Sequence, residues 1–152
     1  MTANSPQGDM AMPSDLQPLG LAIKRVQHRH HRTLDAALIE VGTTLAQWDA
    51  LRAIARHPES SSHKLAGLTF QTDQSFGALA NRMVDRGLIR RVAGEGRAIL
   101  HHLTREGEAM LDAGNAVADR LLAASFSPLT KAERQQLHAL LTKLLGDDAA
   151  RG

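Results

Sequence analysis

With 152 residues and a hydrophobic fraction of 43%, the chain is long enough for one domain with a real core and too short for two full ones. The lack of cysteine excludes disulfides, thiolate metal sites and thiol redox sensing, and no apolar run approaches the roughly 20 residues that a membrane span needs. A formal charge of +2 and a pI near 9.5 permit nucleic-acid binding without requiring it. Aromatic residues make up only 3%, so leucine and alanine must build the core, which favours a mainly helical fold. No secretory signal is visible at the N-terminus, and we expect a soluble cytoplasmic protein.

The first third of the chain predicts a flexible arm and two helices. Residues 1–14 are polar, interrupted by proline and glycine, and without periodicity, which indicates an arm. From Asp15 to Val41 apolar residues recur at steps of three and four, which predicts one long amphipathic helix. Thr44 and Gln47 have the spacing of a capping box, in which both side chains satisfy free backbone amides at a helix start. This second helix is expected to end before Pro58.

The middle of the chain predicts two more helices and a β-hairpin. The serine run 60–62 offers N-caps for a short third helix. A fourth helix, from about Asp73 to Arg86, directs apolar residues inward, and these are Phe76, Leu79, Ala80 and Met83. Two strands, 88–92 and 97–103, flank a glycine-rich turn. This order of elements is that of a winged helix-turn-helix, a unit whose second helix enters the DNA major groove.

The last third predicts two further helices and a partner chain. Thr104 caps a long fifth helix that Pro128 terminates, and Thr130 with Glu133 forms a capping box for a leucine-rich sixth helix. The apolar faces of the first, fifth and sixth helices exceed what a lobe of about 45 residues can cover. We therefore expect a symmetric homodimer.

Two segments resemble the MarR family of transcriptional regulators. Leu79–Arg91 (LANRMVDRGLIRR) is similar to that family's recognition helix and first wing strand, and Leu103–Gly107 matches its Leu-Thr-x-x-Gly junction after the wing. With the long first helix, the Gln47-Trp48 helix and the late capping box, the resemblance covers about residues 16 to 146. Two positions depart from the family pattern. The wing has no Asp before Arg97, and Gly77-Ala78 stand where larger polar or basic residues are common.

The resemblance implies an α+β, mainly α fold: a winged helix-turn-helix with long N- and C-terminal dimerisation helices. We expect a single domain over 15–152. Its DNA-binding lobe would span about 44–103 and its dimerisation helices about 15–41 and 104–146.

Arginines concentrate around the predicted hairpin. The six in this segment are Arg82, Arg86, Arg90, Arg91, Arg97 and Arg105. Such a net positive segment suits a polyanion, although surface arginines also serve solubility. The candidate DNA contacts are Ser62, Thr72, Gln74, Ser75, Asn81, Arg82, Arg90 and Arg97.

Some of these candidates have simpler interpretations. Thr72 fits a plain N-cap, and Asp73 fits a partner of the helix dipole better than a base reader. Arg97, behind the Gly94-Glu95-Gly96 turn, is the best candidate for the minor groove, with a salt bridge to Glu95 as the alternative.

A histidine cluster in the first helix raises the question of a metal. Only His28 and His31 have the spacing of ligands on one helix face, and His30 lies in the apolar stripe. We prefer a satisfied interface or pocket histidine, and expect no metal and no cofactor. By resemblance, Arg25, His28 and Trp48 would line a pocket for a small aromatic or anionic effector.

The main hypothesis is a ligand-responsive repressor that binds a pseudo-palindromic DNA operator as a homodimer. The rival is a metal-sensing or metal-binding protein that uses His28, His30 and His31. A third possibility is a dimeric interaction module without DNA affinity, which the small Gly77-Ala78 face favours. An enzyme is not expected, because the serine run 60–62 beside His63 is better explained as helix caps.

Overall fold

The structure, a computed structural model, describes residues 14–147. The elements are α1 (Leu16–Glu40), α2 (Leu45–Arg56), α3 (Ser62–Leu68), α4 (Asp73–Asp85), β1 (Ile89–Ala93), β2 (Ile99–Leu103), α5 (Arg105–Phe126) and α6 (Lys131–Leu145). This confirms the predicted order and the mainly helical fold. Residues 1–13 of the predicted arm lie outside the described residues.

Side-chain caps start the helices where the sequence predicts them. The Thr130 and Glu133 box forms in full, with the Thr130 hydroxyl accepting from Glu133 N at 3.2 Å and the Glu133 carboxylate accepting from Thr130 N at 3.3 Å. At α2 only half of the predicted box forms. The Thr44 hydroxyl accepts from Gln47 N at 3.1 Å, but the oxygen of the Gln47 carboxamide instead accepts from Arg86 and from the Thr43 hydroxyl. The second half of that prediction was wrong.

Two apolar clusters form the core. The larger lies in the lobe built from α2–α4 and the hairpin, and its largest fully buried members are Leu51, Ile54, Leu65, Phe76, Met83 and Ile89. The smaller joins α1, α2 and α5 through Leu34, Leu38, Trp48, Val117 and Ala118. The lobe thus has its own core, and Trp48 links it to the long helices.

The two strands form an antiparallel hairpin in the register Ile89↔Leu103 to Ala93↔Ile99. Its base is fixed to the first turn of α5. The backbone amide of Thr104 donates to the Leu88 carbonyl at 3.0 Å, and the Thr104 hydroxyl accepts from Gly107 N at 3.0 Å. A Cβ added to Gly107 would stand 1.9 Å from the Leu88 carbonyl oxygen. The glycine of the Leu-Thr-x-x-Gly junction is therefore a requirement of close backbone packing.

Large apolar side chains remain uncovered on α1 and α6. On α1 these are Leu16, Leu19, Leu21, Ile23, Val26 and Ile39. On α6, which has no buried residue, they are Leu140, Leu141, Leu144 and Leu145. Within the described chain, no helix is long and apolar enough to cross a membrane.

Candidate nucleic-acid interface

The start of α4 is fixed by Thr72, a candidate DNA contact, and by Asp73, which the sequence favoured as a partner of the helix dipole. The Thr72 hydroxyl accepts from Ser75 N at 3.1 Å, which confirms the N-cap interpretation. The Asp73 carboxylate accepts from His63 Nδ1 on α3, at 2.9 and 3.0 Å from its two oxygens. This pair ties the two helices of the helix-turn-helix together at the end of α4 from which Gln74 and Ser75 project, exposed.

The outer face of α4 is mostly polar, with two small residues at its centre. Phe76, Leu79, Ala80 and Met83 are buried as predicted. The exposed residues of the opposite face are Gln74, Ser75, Ala78, Asn81, Arg82 and Asp85, with Gly77 half-buried among them. A Cβ added at Gly77 would meet no atom within 4 Å. The small residues at 77–78 thus leave space at the centre of the face. On either side of them lie polar side chains that can contact the bases or the phosphates of DNA.

Arg91 joins the hairpin to this face. Its Nη2 donates to the Asn81 carboxamide oxygen, so a guanidinium of β1 is held beside α4. Arg90, one residue earlier, lines a cleft of about 510 Å³ with His102 and with Glu108 and Asp112 of α5. Adjacent strand residues point to opposite faces, and here Arg91 faces α4. The candidate set included Arg90 and omitted Arg91; the structure brings Arg91, not Arg90, to Asn81.

Arg97 extends the cationic surface to the end of the hairpin. Gly94 N donates to the Ala98 carbonyl at 2.8 Å and closes the turn, and Arg97 is exposed on it. Within residues 14–147 the ion pairs are Arg52 with Asp49 and His63 with Asp73. The alternative pairing of Arg97 with Glu95 therefore does not form, and the guanidinium is available to an outside anion.

Arg86 has a different use from the other arginines of this segment. Its Nη1 donates to the Gln47 carboxamide oxygen at 2.6 Å and its Nη2 to the Gly42 carbonyl at 2.7 Å. These bonds fasten the end of α4 to the bend between α1 and α2. Counting Arg86 among groups directed at a polyanion was wrong, because both ends of its guanidinium are occupied within the protein.

Ser62 is the first residue of α3, with Ser61 as the N-cap that accepts from Lys64 N at 3.2 Å. Ser62 is exposed, and its hydroxyl lies at the start of the first helix of the helix-turn-helix. That position is one from which such a helix contacts the DNA backbone.

The three predicted effector-binding residues do not meet within one protomer. Arg25 and His28 line an open groove of about 610 Å³ along α1. Trp48 is only 5% exposed, and its Nε1 donates to the Asn115 carboxamide oxygen at 3.0 Å. Its indole lies against Gly114, where an added Cβ would stand 2.3 Å from Cδ1. The grouping of Trp48 with Arg25 and His28 was therefore wrong for a single chain: the indole is part of the core.

The histidines of α1 have separate surroundings. His30 Nε2 is 2.6 Å from the Ser125 hydroxyl, and its ring meets Phe126 edge to face at 5.3 Å. Burial lowers the pKa of His30 below its usual 6.5, and Arg29 lowers it further. In the part of the chain that the structure describes, no three His, Cys, Asp or Glu side chains are grouped to hold a metal. The geometry favours a satisfied interhelical histidine over a ligand.

His101, at the end of the hairpin, is a buried group for which the sequence suggested no role. It is 3% exposed, its Nδ1 has no hydrogen-bond partner among residues 14–147, and its ring meets Phe76 of α4 edge to face at 6.0 Å. Burial, then Arg91 and His102, lower the pKa of His101. The inward position in β2 could have been read from strand alternation, but not the absence of a partner.

Comparison with known proteins gives a consistent result. A family model described as "MarR family" matches residues 41–98. The HTH-type transcriptional repressor Rv2887 of Mycobacterium tuberculosis is 29% identical over 136 residues, covering 88% of this chain and 98% of the relative.

Two solved structures of that relative are also similar. Its complex with p-aminosalicylic acid gives a TM-score of 0.72 at 29% identity, covering 85% of this chain and 99% of that one. Its complex with DNA gives a TM-score of 0.72 at 26% identity, covering 85% and 98%.

Proposed function

The chain belongs to the MarR family, and on that premise we propose that it is a DNA-binding transcriptional repressor that responds to a small ligand. The observation that carries the proposal is the exposed polar and cationic surface made by the outer face of α4, Arg91 held on Asn81, and Arg97 at the hairpin turn. The solved complex of the mycobacterial relative with DNA supports a DNA partner for this chain. Such a regulator works where the chromosome is, and we place it in the cytoplasm.

A homodimer follows from the uncovered apolar faces of α1 and α6. One winged lobe reads too short a stretch of DNA to specify a site, whereas a two-fold dimer presents two recognition helices about 34 Å apart to a pseudo-palindrome. In this arrangement α2 to β2 form the DNA-binding lobe, and α1, α5 and α6 form the dimer contact. The exposed leucines of α6 become the buried centre of that contact.

Binding-site selection from a random duplex pool, followed by fluorescence anisotropy over a range of salt, tests the proposal. Wild type should enrich one pseudo-palindromic sequence. Arg97→Ala should weaken binding to it and reduce the slope of log K against log salt by about 0.9 per lost phosphate contact. Arg120→Ala removes the same charge from the exposed side of α5 and should leave the slope unchanged. If the pool is not enriched at low salt, or Arg97→Ala behaves as wild type, the interaction-module alternative gains.

We place the effector near the cations of α1, where Arg25 and His28 line the open groove. The relative's complex with p-aminosalicylic acid supports an anionic aromatic ligand. The probe is p-aminosalicylate, with uncharged aniline as control. p-Aminosalicylate should release the selected duplex from wild type. Its release from Arg25→Ala should need a higher concentration of the acid, and aniline should release the duplex from neither protein. Equal sensitivity of wild type and Arg25→Ala would remove Arg25 from the site.

A further inference from the structure

The turn between α3 and α4 contains a residue that the fold does not explain. α3 ends in a Schellman turn, in which Gln71 N donates to the Ala66 carbonyl at 2.9 Å and Phe70 N to the Gly67 carbonyl at 3.2 Å. This turn needs a left-handed backbone at Phe70, where φ is +56°. Glycine is the usual residue there, because a left-handed backbone costs other residues roughly 1–2 kcal/mol.

Among the described residues, the phenyl ring of Phe70 only borders a cleft beside Arg52 and Arg56 of α2 and is not buried by any contact that would offset this strain. Phe70 is 98% exposed, whereas Phe76 is 1% exposed and Phe126 is half-buried. The apolar contact that accompanies a Schellman turn joins the residues on either side, not the left-handed one. A large apolar side chain is thus held in water on a strained backbone.

The position of Phe70 indicates what covers it. Among the described residues, the other exposed large apolar side chains lie on α1, at its end, or on α6, except Ile99 at the hairpin. The ring of Phe70 is therefore remote in the chain from the proposed dimer contact. It lies two residues before Thr72, the N-cap of α4, and so within about 7 Å of the start of the recognition helix. In a helix-turn-helix, that end of the second helix approaches the base edges.

We propose that Phe70 is a specificity-determining residue of the DNA interface, whose ring packs against the C5-methyl group of a thymine. The inference rests on the proposed DNA binding and names a contact within it. Apolar contact with this methyl group is a recognised way to distinguish thymine in the major groove. It would add a large apolar contact to a recognition surface whose Gly77-Ala78 stretch is small.

The experiment uses the full chain and the duplex selected by wild type. Phe70→Ala should bind about tenfold more weakly at fixed salt, because an apolar contact of a single ring is lost. The salt slope should stay at the wild-type value, since no charge is removed. Replacing thymines one at a time by deoxyuridine, which lacks the methyl group, should identify one position in each half-site that weakens wild type and has no effect on Phe70→Ala.

A stability control separates this result from damage to the fold. Phe70→Gly keeps the turn and relieves the left-handed strain, so it should melt at or above the wild-type temperature and still lose affinity. The inference is overturned if both Phe70 variants bind the selected duplex as wild type does, which would point to a protein partner for the ring. It is also overturned if no thymine shows the coupling. Failure of wild type to select any sequence overturns the proposed function, and this inference with it.

Discussion

Replacing Gly107 by alanine should be among the most destabilising single-methyl changes in this protein. The new Cβ would stand 1.9 Å from the Leu88 carbonyl oxygen, whereas carbon and oxygen atoms in proteins rarely approach closer than about 3.3 Å. The first turn of α5 and the base of the hairpin must separate by about 1.4 Å. Overpacking usually costs 1–3 kcal/mol, and here the neighbour is backbone, which cannot rotate away. The separation also strains the hydrogen bond from Thr104 N to Leu88, so we expect a loss of about 3 kcal/mol.

Thermal unfolding followed by far-UV circular dichroism measures this loss. For a chain of this length 1 kcal/mol corresponds to about 2–4 °C, so the variant should melt about 6–12 °C lower. Gly77→Ala is the matched control, because it adds the same methyl group to a helix where no atom lies within 4 Å. That change should raise the melting temperature slightly, through higher helix propensity. All samples need equal protein concentration, since a dimer's melting temperature depends on it. A Gly107→Ala protein that melts at the wild-type temperature would refute the close-packing argument.

Three further outcomes follow from the described contacts. The pKa of His101 lies below 6.5 in the fold, because of burial and then Arg91 and His102, so below pH 6.5 the unfolded chain gains a proton that the fold resists. The free energy of unfolding, measured by urea titration, should therefore fall as pH drops from 7.5 toward 5.5. That of His101→Leu should fall less steeply, and equal pH slopes for the two proteins would contradict this. Asn115→Ala leaves the Trp48 indole N–H without its partner and should cost about 1–3 kcal/mol, but much less in a Trp48→Phe background, and equal costs in the two backgrounds would count against the bond. Asn81→Ala and Arg91→Ala should each weaken DNA binding, and the double variant should bind no more weakly than Arg91→Ala; additive losses would mean that Asn81 does not position Arg91.

The order of the helices and strands could be predicted because several independent local signals indicate the same element boundaries. Threonine caps, breaking glycine or proline residues and a change of apolar period mark each element independently of tertiary packing. Contacts between segments distant in the chain could not be predicted in this way. Gln47 was assigned to its own helix start, yet it accepts from Arg86, 39 residues later. No local pattern reveals such a partner.

The candidate site shows the same division. Alternation along β1 required Arg90 and Arg91 to face opposite sides of the hairpin, but only the packed structure shows which one reaches Asn81. Trp48 was predicted to be a pocket wall by resemblance to the MarR family, since an aromatic wall beside a cationic or polar group suits an anionic ring. Its burial depends on the space left by Gly114, 66 positions away, which the sequence does not connect to it.

The two bonds from Arg86 to Gln47 and Gly42 have a mechanical consequence. A displacement of the bend after α1 would act on the last turn of α4 through these two hydrogen bonds. Free-energy coupling is reciprocal, so under the proposed function a duplex that restrains α4 would also restrain the bend, and a molecule that shifts the bend would change the affinity for the duplex by the same factor.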